Sequence, residues 1–330
     1  MIVSRTPHRI SFFGGGTDYP SYYLQYGGKV LGAAIDKFSY LNVRKLPPFF
    51  THKHRIVYSA QENVNTLDEI RHPAVREILK HLGIQYGISI HHDGDIPARS
   101  GMGSSSAFTV GLLKSMLALE GCIITNEDLM KKAIYIEQEC IKENVGSQDQ
   151  AFAAFGGLNL IEFMTNGEIS IKPVVIPHAR LDEFEGNLLL YFTGVSRIAS
   201  EIAEDQIKNT QKNLSNLQNM KYLTEEAYII LTSPNKPLKE FGMLLNETWK
   251  LKRCLSSKIS TDLVDNIYDM GMDAGATGGK LLGAGGGGFL LFYVEKDFQP
   301  GFRKKLADYL EIPFKFDFDG SKIIVYQPNH

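Results

Sequence analysis

Residues 96–107 read Ile96-Pro97-Ala98-Arg99-Ser100-Gly101-Met102-Gly103-Ser104-Ser105-Ser106-Ala107, a loop that turns into a helix. Gly101 and Gly103 allow backbone angles that side chains resist. The serines offer caps for a helix that continues from Ala107 to Leu119. Backbone N–H groups at a helix start, with no side-chain bulk above them, form an anion site. The stretch reads either as the seat of a nucleotide's phosphates or as a capped turn without a ligand. The rest of the chain decides between the two.

The chain has 330 residues, 43% hydrophobic and 22% charged, enough for two domains and a substantial core. A formal net charge of −2 argues against a general affinity for nucleic acid or an anionic membrane. No apolar run has membrane-spanning length, and Met1–Pro7 lacks a signal-peptide core, so a cytoplasmic protein is expected. Cys122, Cys140 and Cys254 are widely separated and suggest neither a metal site nor a disulfide framework.

Near the N-terminus, an extended apolar piece from Thr6 runs into Gly14-Gly15-Gly16-Thr17-Asp18-Tyr19-Pro20. Asp18 there either accepts hydrogen bonds from two neighbouring hydroxyls of a ligand or caps a local turn. Helical spacing covers 66–82, with Thr66 and Glu69 as a capping box, and a strand over 87–93 follows. A second helix, about 125–143, carries Glu137 and Glu139, which point in different directions. Asp149 precedes a short helix at 151–155, as an N-cap or as a catalytic carboxylate.

A strand to Phe163 pairs across Asn166-Gly167 with another at 169–176. The polar stretch 177–186 marks a boundary between units 1–182 and 183–330. Long helices are expected at about 199–232, 237–255 and 261–271, with Lys250, Lys252 and Arg253 as a solvated face from which one cation could reach an anion. A second glycine cluster runs from Gly275 to Gly288, before a strand at 289–294. A helix at 301–310 and a hairpin from Pro313 to Tyr326, turning at Asp319-Gly320, close the chain.

Several templates fail. Lys280 is followed by leucine, so no P-loop forms around it. Gly283, Gly285 and Gly288 match Gly-x-Gly-x-x-Gly, but the strand comes after the motif, which excludes the dinucleotide fold. Protein-kinase signatures, a nucleophile elbow and zinc spacing are absent from the sequence. Two glycine loops, a serine-rich helix start, a few carboxylates and Arg9 remain. That set suits phosphoryl transfer, which needs N–H groups and magnesium around the transferred charge and a base near the acceptor hydroxyl.

Three segments together resemble the GHMP kinases: Thr6-Pro7-His8-Arg9 running to Gly16-Thr17-Asp18-Tyr19, then Pro97-x-x-x-Gly101-Met102-Gly103-Ser104-Ser105-Ser106-Ala107, then Lys280-Leu281-Leu282-Gly283-Ala284-Gly285-Gly286-Gly287-Gly288. They lie in family order and span most of the chain. The resemblance implies an α+β, two-domain fold, with an N-terminal half like ribosomal protein S5 domain 2 and a ferredoxin-like C-terminal half. It implies ATP and Mg²⁺ as cofactors. Pro97 and Arg99 to Ser106 would wrap the ATP phosphates. Ser105 and Glu139 would hold the metal, Asp149 would be the catalytic aspartate, and Arg9 would steady it. Gly285, Gly286 and Gly287 would close over the substrate.

Gly16, Thr17 and Asp18 would grip sugar hydroxyls. The Phe12-Phe13-Gly14-Gly15-Gly16-Thr17-Asp18-Tyr19-Pro20 run and Gly278 to Gly283 are most similar to bacterial D-glycero-D-manno-heptose 7-phosphate kinases, with fucose-salvage kinases as close relatives. A sugar 7-phosphate needs a second cationic site, for which Arg99, Arg197, Lys280 and His8 are candidates. The expected partners are thus a small sugar phosphate and ATP, with no nucleic acid or membrane and with a homodimer left open. A fucose-like 1-kinase, a catalytically silent sugar-binding relative and a family decarboxylase are the alternatives.

Overall fold

The computed structural model describes residues 1–98, 100–195 and 199–328. Its strands are β1 (Ile2–Phe13), β2 (Gly28–Lys45), β3 (His54–Val57), β4 (Gln61–Val64), β5 (Ile88–Gly94), β6 (Leu158–Phe163), β7 (Ile169–Pro173), β8 (Leu188–Phe192), β9 (Gly278–Leu281), β10 (Phe289–Tyr293), β11 (Leu310–Glu311) and β12 (Lys322–Tyr326). Its α-helices are α1 (Pro20–Tyr26), α2 (Pro73–His81), α3 (Ser104–Leu119), α4 (Asn126–Tyr135), α5 (Gln148–Phe155), α6 (His178–Gly186), α7 (Ala199–Lys208), α8 (Leu214–Thr232), α9 (Lys239–Arg253), α10 (Asp262–Asp273) and α11 (Gln299–Lys305).

Two sheets organise them. The larger has the order β12-β1-β2-β5-β3-β4, with β6 on β2 and β7 on β6. The 18 residues of β2 serve two neighbours in turn: Gly28–Ala33 pair with β6 and Ser39–Lys45 with β5. The smaller sheet is antiparallel, β11-β8-β10-β9. Helices α2, α3, α4 and α5 bury their apolar faces on the large sheet through Val75, Ile78, Leu112, Leu129 and Phe152. Phe12 and Phe13, from the end of β1, meet Phe184 and Phe241 edge to face at centroid distances of 4.9–5.6 Å, and Phe184 meets Phe241 at 4.7 Å. Each such ring contributes about 1.5–3 kcal/mol of burial, and this cluster joins the end of β1 to α6 and α9.

Local rules explain where the elements differ from the expected ones. Thr66 and Glu69 do form a capping box, but around a single 3₁₀ turn, Leu67–Glu69. The helix restarts at Pro73, whose fixed φ suits a first turn and whose missing N–H cannot continue one. The helix expected at 125–143 ends as α-helix at Tyr135 and continues as a π-helical turn, Ile136–Cys140. The long helix 199–232 is two helices, α7 and α8. The polar stretch 177–186 is helix α6, so the expected division after residue 182 falls inside a helix. The C-terminal segment is not a hairpin: β12 pairs with Ile2–Arg5 of β1, returning the chain to the first sheet.

Candidate active site

Helix α3 begins at Gly103, whose φ of +72° puts it in the left-handed region, and no side chain caps the first turn. The N-cap is thus a glycine, with Ser104, Ser105 and Ser106 inside the helix. With no N-cap side chain over it, the first turn suits an anion at its N–H groups. The three serines differ: Ser105 is exposed, Ser104 half-buried, and Ser106 buried with its hydroxyl donating to Glu137 Oε2 at 2.8 Å. Met102 is a core residue whose carbonyl accepts from the Arg9 N–H at 3.1 Å, and Pro97 is exposed. Ser100 is buried, and its Oγ has no hydrogen-bond partner among the described residues. Arg99 and Arg197 lie outside the described residues.

Strand β1 carries Arg9 under this loop. Its Nε and Nη2 donate to the two oxygens of Asp149 at 2.8 Å each, and its Nη1 donates to the Gly101 carbonyl at 2.6 Å. Asp149 sits inside the first turn of α5, whose N-cap is Ser147, so its carboxylate faces Arg9 instead of capping the helix. One guanidinium thus ties the Gly101 loop to the carboxylate.

Asp18 is 2% exposed, and burial raises its pKa. Its oxygens accept from the Gly16 N–H and from Gln148 Nε2, both at 2.9 Å. Gly146 makes this possible, because a Cβ there would lie 1.9 Å from Asp18 Oδ2. Thr17, expected to touch substrate, is instead buried in the turn: its hydroxyl donates to Gly14 O and Lys29 O and accepts from the Lys29 N–H.

The second glycine loop meets the first through backbone. A Cβ on Gly101 would approach Leu282 O to 2.6 Å, and one on Gly283 would approach Gly101 Cα to 2.4 Å. Gly288 presses on Ser100 in the same way, at 2.2 Å from its carbonyl. Gly285 and Gly287 pack on Ile259 and Val195, and the Gly286 N–H donates to the Ile259 carbonyl at 2.8 Å, so Gly283 and Gly288 make the contact with the 100–101 backbone.

Three expected residues need correcting. The magnesium carboxylate suggested at Glu139 is exposed, whereas Glu137, in the same π-helical turn, is fully buried and bonded to Ser106 and Gln150. Burial pushes Glu137 up to a pKa of about 7, and its Oε1 accepts no hydrogen bond among the described residues. An unpartnered carboxylate oxygen beside a serine hydroxyl is a fitting oxygen set for Mg²⁺. Lys280 is 1% exposed, and its ammonium donates to the carbonyls of Ser11 and Phe12 at 2.8 Å each. Burial lowers its pKa well below the usual range, and it ties β9 to β1 instead of facing a substrate phosphate. His8 is buried and held neutral, its pKa lowered to about 4 chiefly by desolvation, so it brings no cation.

The sequence left open which of three cations on α9 turns inward. Of the basic trio on α9, Lys250 pairs with Glu247 and Arg253 with Asp265, but Lys252 turns inward, 4% exposed, and donates to the Gly283 carbonyl. Its immediate neighbours are exposed cations, so only the docking of α9 reveals it.

Comparison with known proteins agrees with this geometry. The family described as "GHMP kinases N terminal domain" matches residues 69–157, and "GHMP kinases C terminal" matches 202–307. A D-glycero-alpha-D-manno-heptose 7-phosphate kinase of Campylobacter jejuni is 30% identical over 306 residues, covering 89% of either chain. An L-fucokinase/L-fucose-1-P guanylyltransferase of Bacteroides fragilis is 28% identical over 92% of this chain and 35% of its own. A solved D-glycero-D-manno-heptose 1-phosphate kinase from Bacteroides thetaiotaomicron superposes with a TM-score of 0.79, at 24% identity, over 97% of this chain and 98% of that one.

Proposed function

The chain belongs to the GHMP kinases and is an ATP-dependent sugar kinase, and from that premise we propose that it phosphorylates the anomeric C1 hydroxyl of D-glycero-D-manno-heptose 7-phosphate. The product is the 1,7-bisphosphate, an intermediate suited to nucleotide-activated heptose for surface polysaccharide. The observation that carries a phosphoryl-transfer reading is the Arg9–Asp149 pair beneath the uncapped start of α3. The choice of sugar draws support from the Campylobacter jejuni relative.

In this reading ATP lays its phosphates on the first turn of α3 and the Gly101–Gly103 turn. The acceptor hydroxyl hydrogen-bonds to Asp149, which Arg9 holds in place through two hydrogen bonds. A bond forms from the C1 oxygen to the γ-phosphorus, the bond to the β–γ bridging oxygen breaks, and the hydroxyl proton passes to Asp149. The N–H groups of α3 and the Arg9 guanidinium offset the charge spread over the transferred group. Asp18 has lone pairs left for sugar hydroxyls beyond the two bonds it already accepts. Glu137, with Ser105 or Ser106, would hold Mg²⁺, which neutralises charge on the β- and γ-phosphates when bound.

A fucose-like sugar 1-kinase is the second reading. It is favoured by the loss of Lys280 and His8 as candidates for a second phosphate site. ATP turnover with D-glycero-D-manno-heptose 7-phosphate, the free heptose, L-fucose and galactose decides. Turnover restricted to the heptose 7-phosphate is the expected result. Turnover of a free sugar with an inert heptose 7-phosphate overturns the substrate assignment, and no ATP consumption with any acceptor indicates a silent sugar-binding relative.

A further inference from the structure

Lys252 lies in the last turn of α9 and is almost completely buried. Its ammonium has three N–H donors, and the only hydrogen bond it makes among the described residues is to the Gly283 carbonyl. Gly283 is the residue whose backbone touches Gly101, and Gly101 in turn accepts from Arg9. Lys252 therefore stands one step from the phosphate loop, with two donors uncommitted.

The charges that act on it are Arg9 on β1, Asp18 on the following turn, Asp149 on α5 and Lys280 on β9. Asp18 and Asp149 repel each other. Arg9 is committed to Asp149, and the Lys280 ammonium is bonded to backbone of β1. Lys252 is thus the remaining buried cation, among the described residues, that faces this acidic pair.

We propose that Lys252 is a positioning residue for phosphoryl transfer, fixing the Gly283 carbonyl against the phosphate loop and supplying positive charge beside Asp18 and Asp149. The proposal rests on the sugar-kinase reaction but not on which sugar is used. Burial and the Arg9 charge hold the Lys252 pKa down at about 8, while Asp18 and Asp149 pull it the other way. Its charge is then lost just above neutrality, which makes the role visible in a pH profile.

Lys252→Gln keeps a donor for Gly283 but removes the charge, and Lys252→Arg keeps the charge. The assay uses whichever acceptor turns over in the sugar panel, so an inert heptose 7-phosphate overturns the substrate assignment alone. Lys252→Gln is expected to lower kcat by about 10²-fold, the scale on which one preorganised electrostatic contribution acts, with KM for ATP little changed. Wild-type kcat is expected to fall above about pH 8, and Lys252→Arg to move that limb upward. A Lys252→Gln enzyme with wild-type kcat, or an alkaline limb unmoved in Lys252→Arg, overturns the proposal. If Lys252→Gln does not fold, the alkaline limb of Lys252→Arg decides alone.

Discussion

Arg9 and Asp149, 140 residues apart in the chain, face each other through two parallel hydrogen bonds of 2.8 Å. Their side chains are 6% and 15% exposed, so solvent screens the pair weakly. Removing one partner strands the other. Arg9→Met should cost about 3–5 kcal/mol of stability, the range for breaking a buried ion pair, which denaturant unfolding would measure. Asp149→Ala should abolish turnover while ATP binding survives, as read by calorimetry with a non-hydrolysable analogue. Wild-type-like turnover in Asp149→Ala is the result that would discard Asp149 as the base.

Glu137 and Glu139 should separate cleanly. Glu137→Gln should raise the Mg²⁺ concentration needed for half-maximal activity by at least about 10-fold, and Glu139→Gln should not. An equal effect of both substitutions would return the metal to an undecided position.

The raised Glu137 pKa also predicts a pH dependence of stability. Between the ordinary glutamate value of 4.5 and about 7, the folded protein keeps a proton that the unfolded chain has released. The folded state then binds more protons, so stability falls as pH rises through that window and levels off above it. The total is on the order of 3 kcal/mol. Melting temperatures of the metal-free protein, followed by Trp249 fluorescence, should show this decline, and Glu137→Gln should flatten it.

Gly146→Ala places a methyl against Asp18 Oδ2 and should displace that carboxylate. Loss of a hydrogen bond to a charged group is worth about 1.5–3 kcal/mol, roughly a 10–100-fold rise in KM for the sugar. Gly83→Ala is the control: its φ is +63° and the added Cβ meets nothing within 4 Å. It should cost about 1 kcal/mol in backbone strain and leave KM unchanged.

Lys280→Met should act on the fold. It leaves the carbonyls of Ser11 and Phe12 without their donor, at about 1–3 kcal/mol each. The melting temperature should drop, while the ratio of KM values for phosphorylated and free sugars stays constant. A change confined to phosphorylated sugars would restore Lys280 to the substrate site.

Much of this architecture was legible along the chain because it rests on short-range rules. The glycine–serine loop placed the start of α3 and its run to Leu119, and Asn166-Gly167 marked the β6–β7 hairpin. The motif around Gly101 and the positions of Arg9, Asp18 and Asp149 were likewise visible, since residue type and spacing carry the resemblance. The capping box at Thr66 was also real, but Pro73 overrode it as the true helix start.

What the amino-acid sequence determined by itself was the family, many of the local elements and the set of residues from which a phosphoryl-transfer site is proposed. Tertiary structure alone decided which members of that set face one another. A π-helical turn buries Glu137 and leaves Glu139 exposed, and burial keeps His8 neutral. The docking of α9 and β9 takes Lys252 and Lys280 out of solvent. The pairing of β12 with β1 brings the C-terminal segment back to the first sheet. The physical reason is common to all four: desolvation, long-range charge and strand pairing depend on neighbours distant in the chain, which local periodicity does not encode.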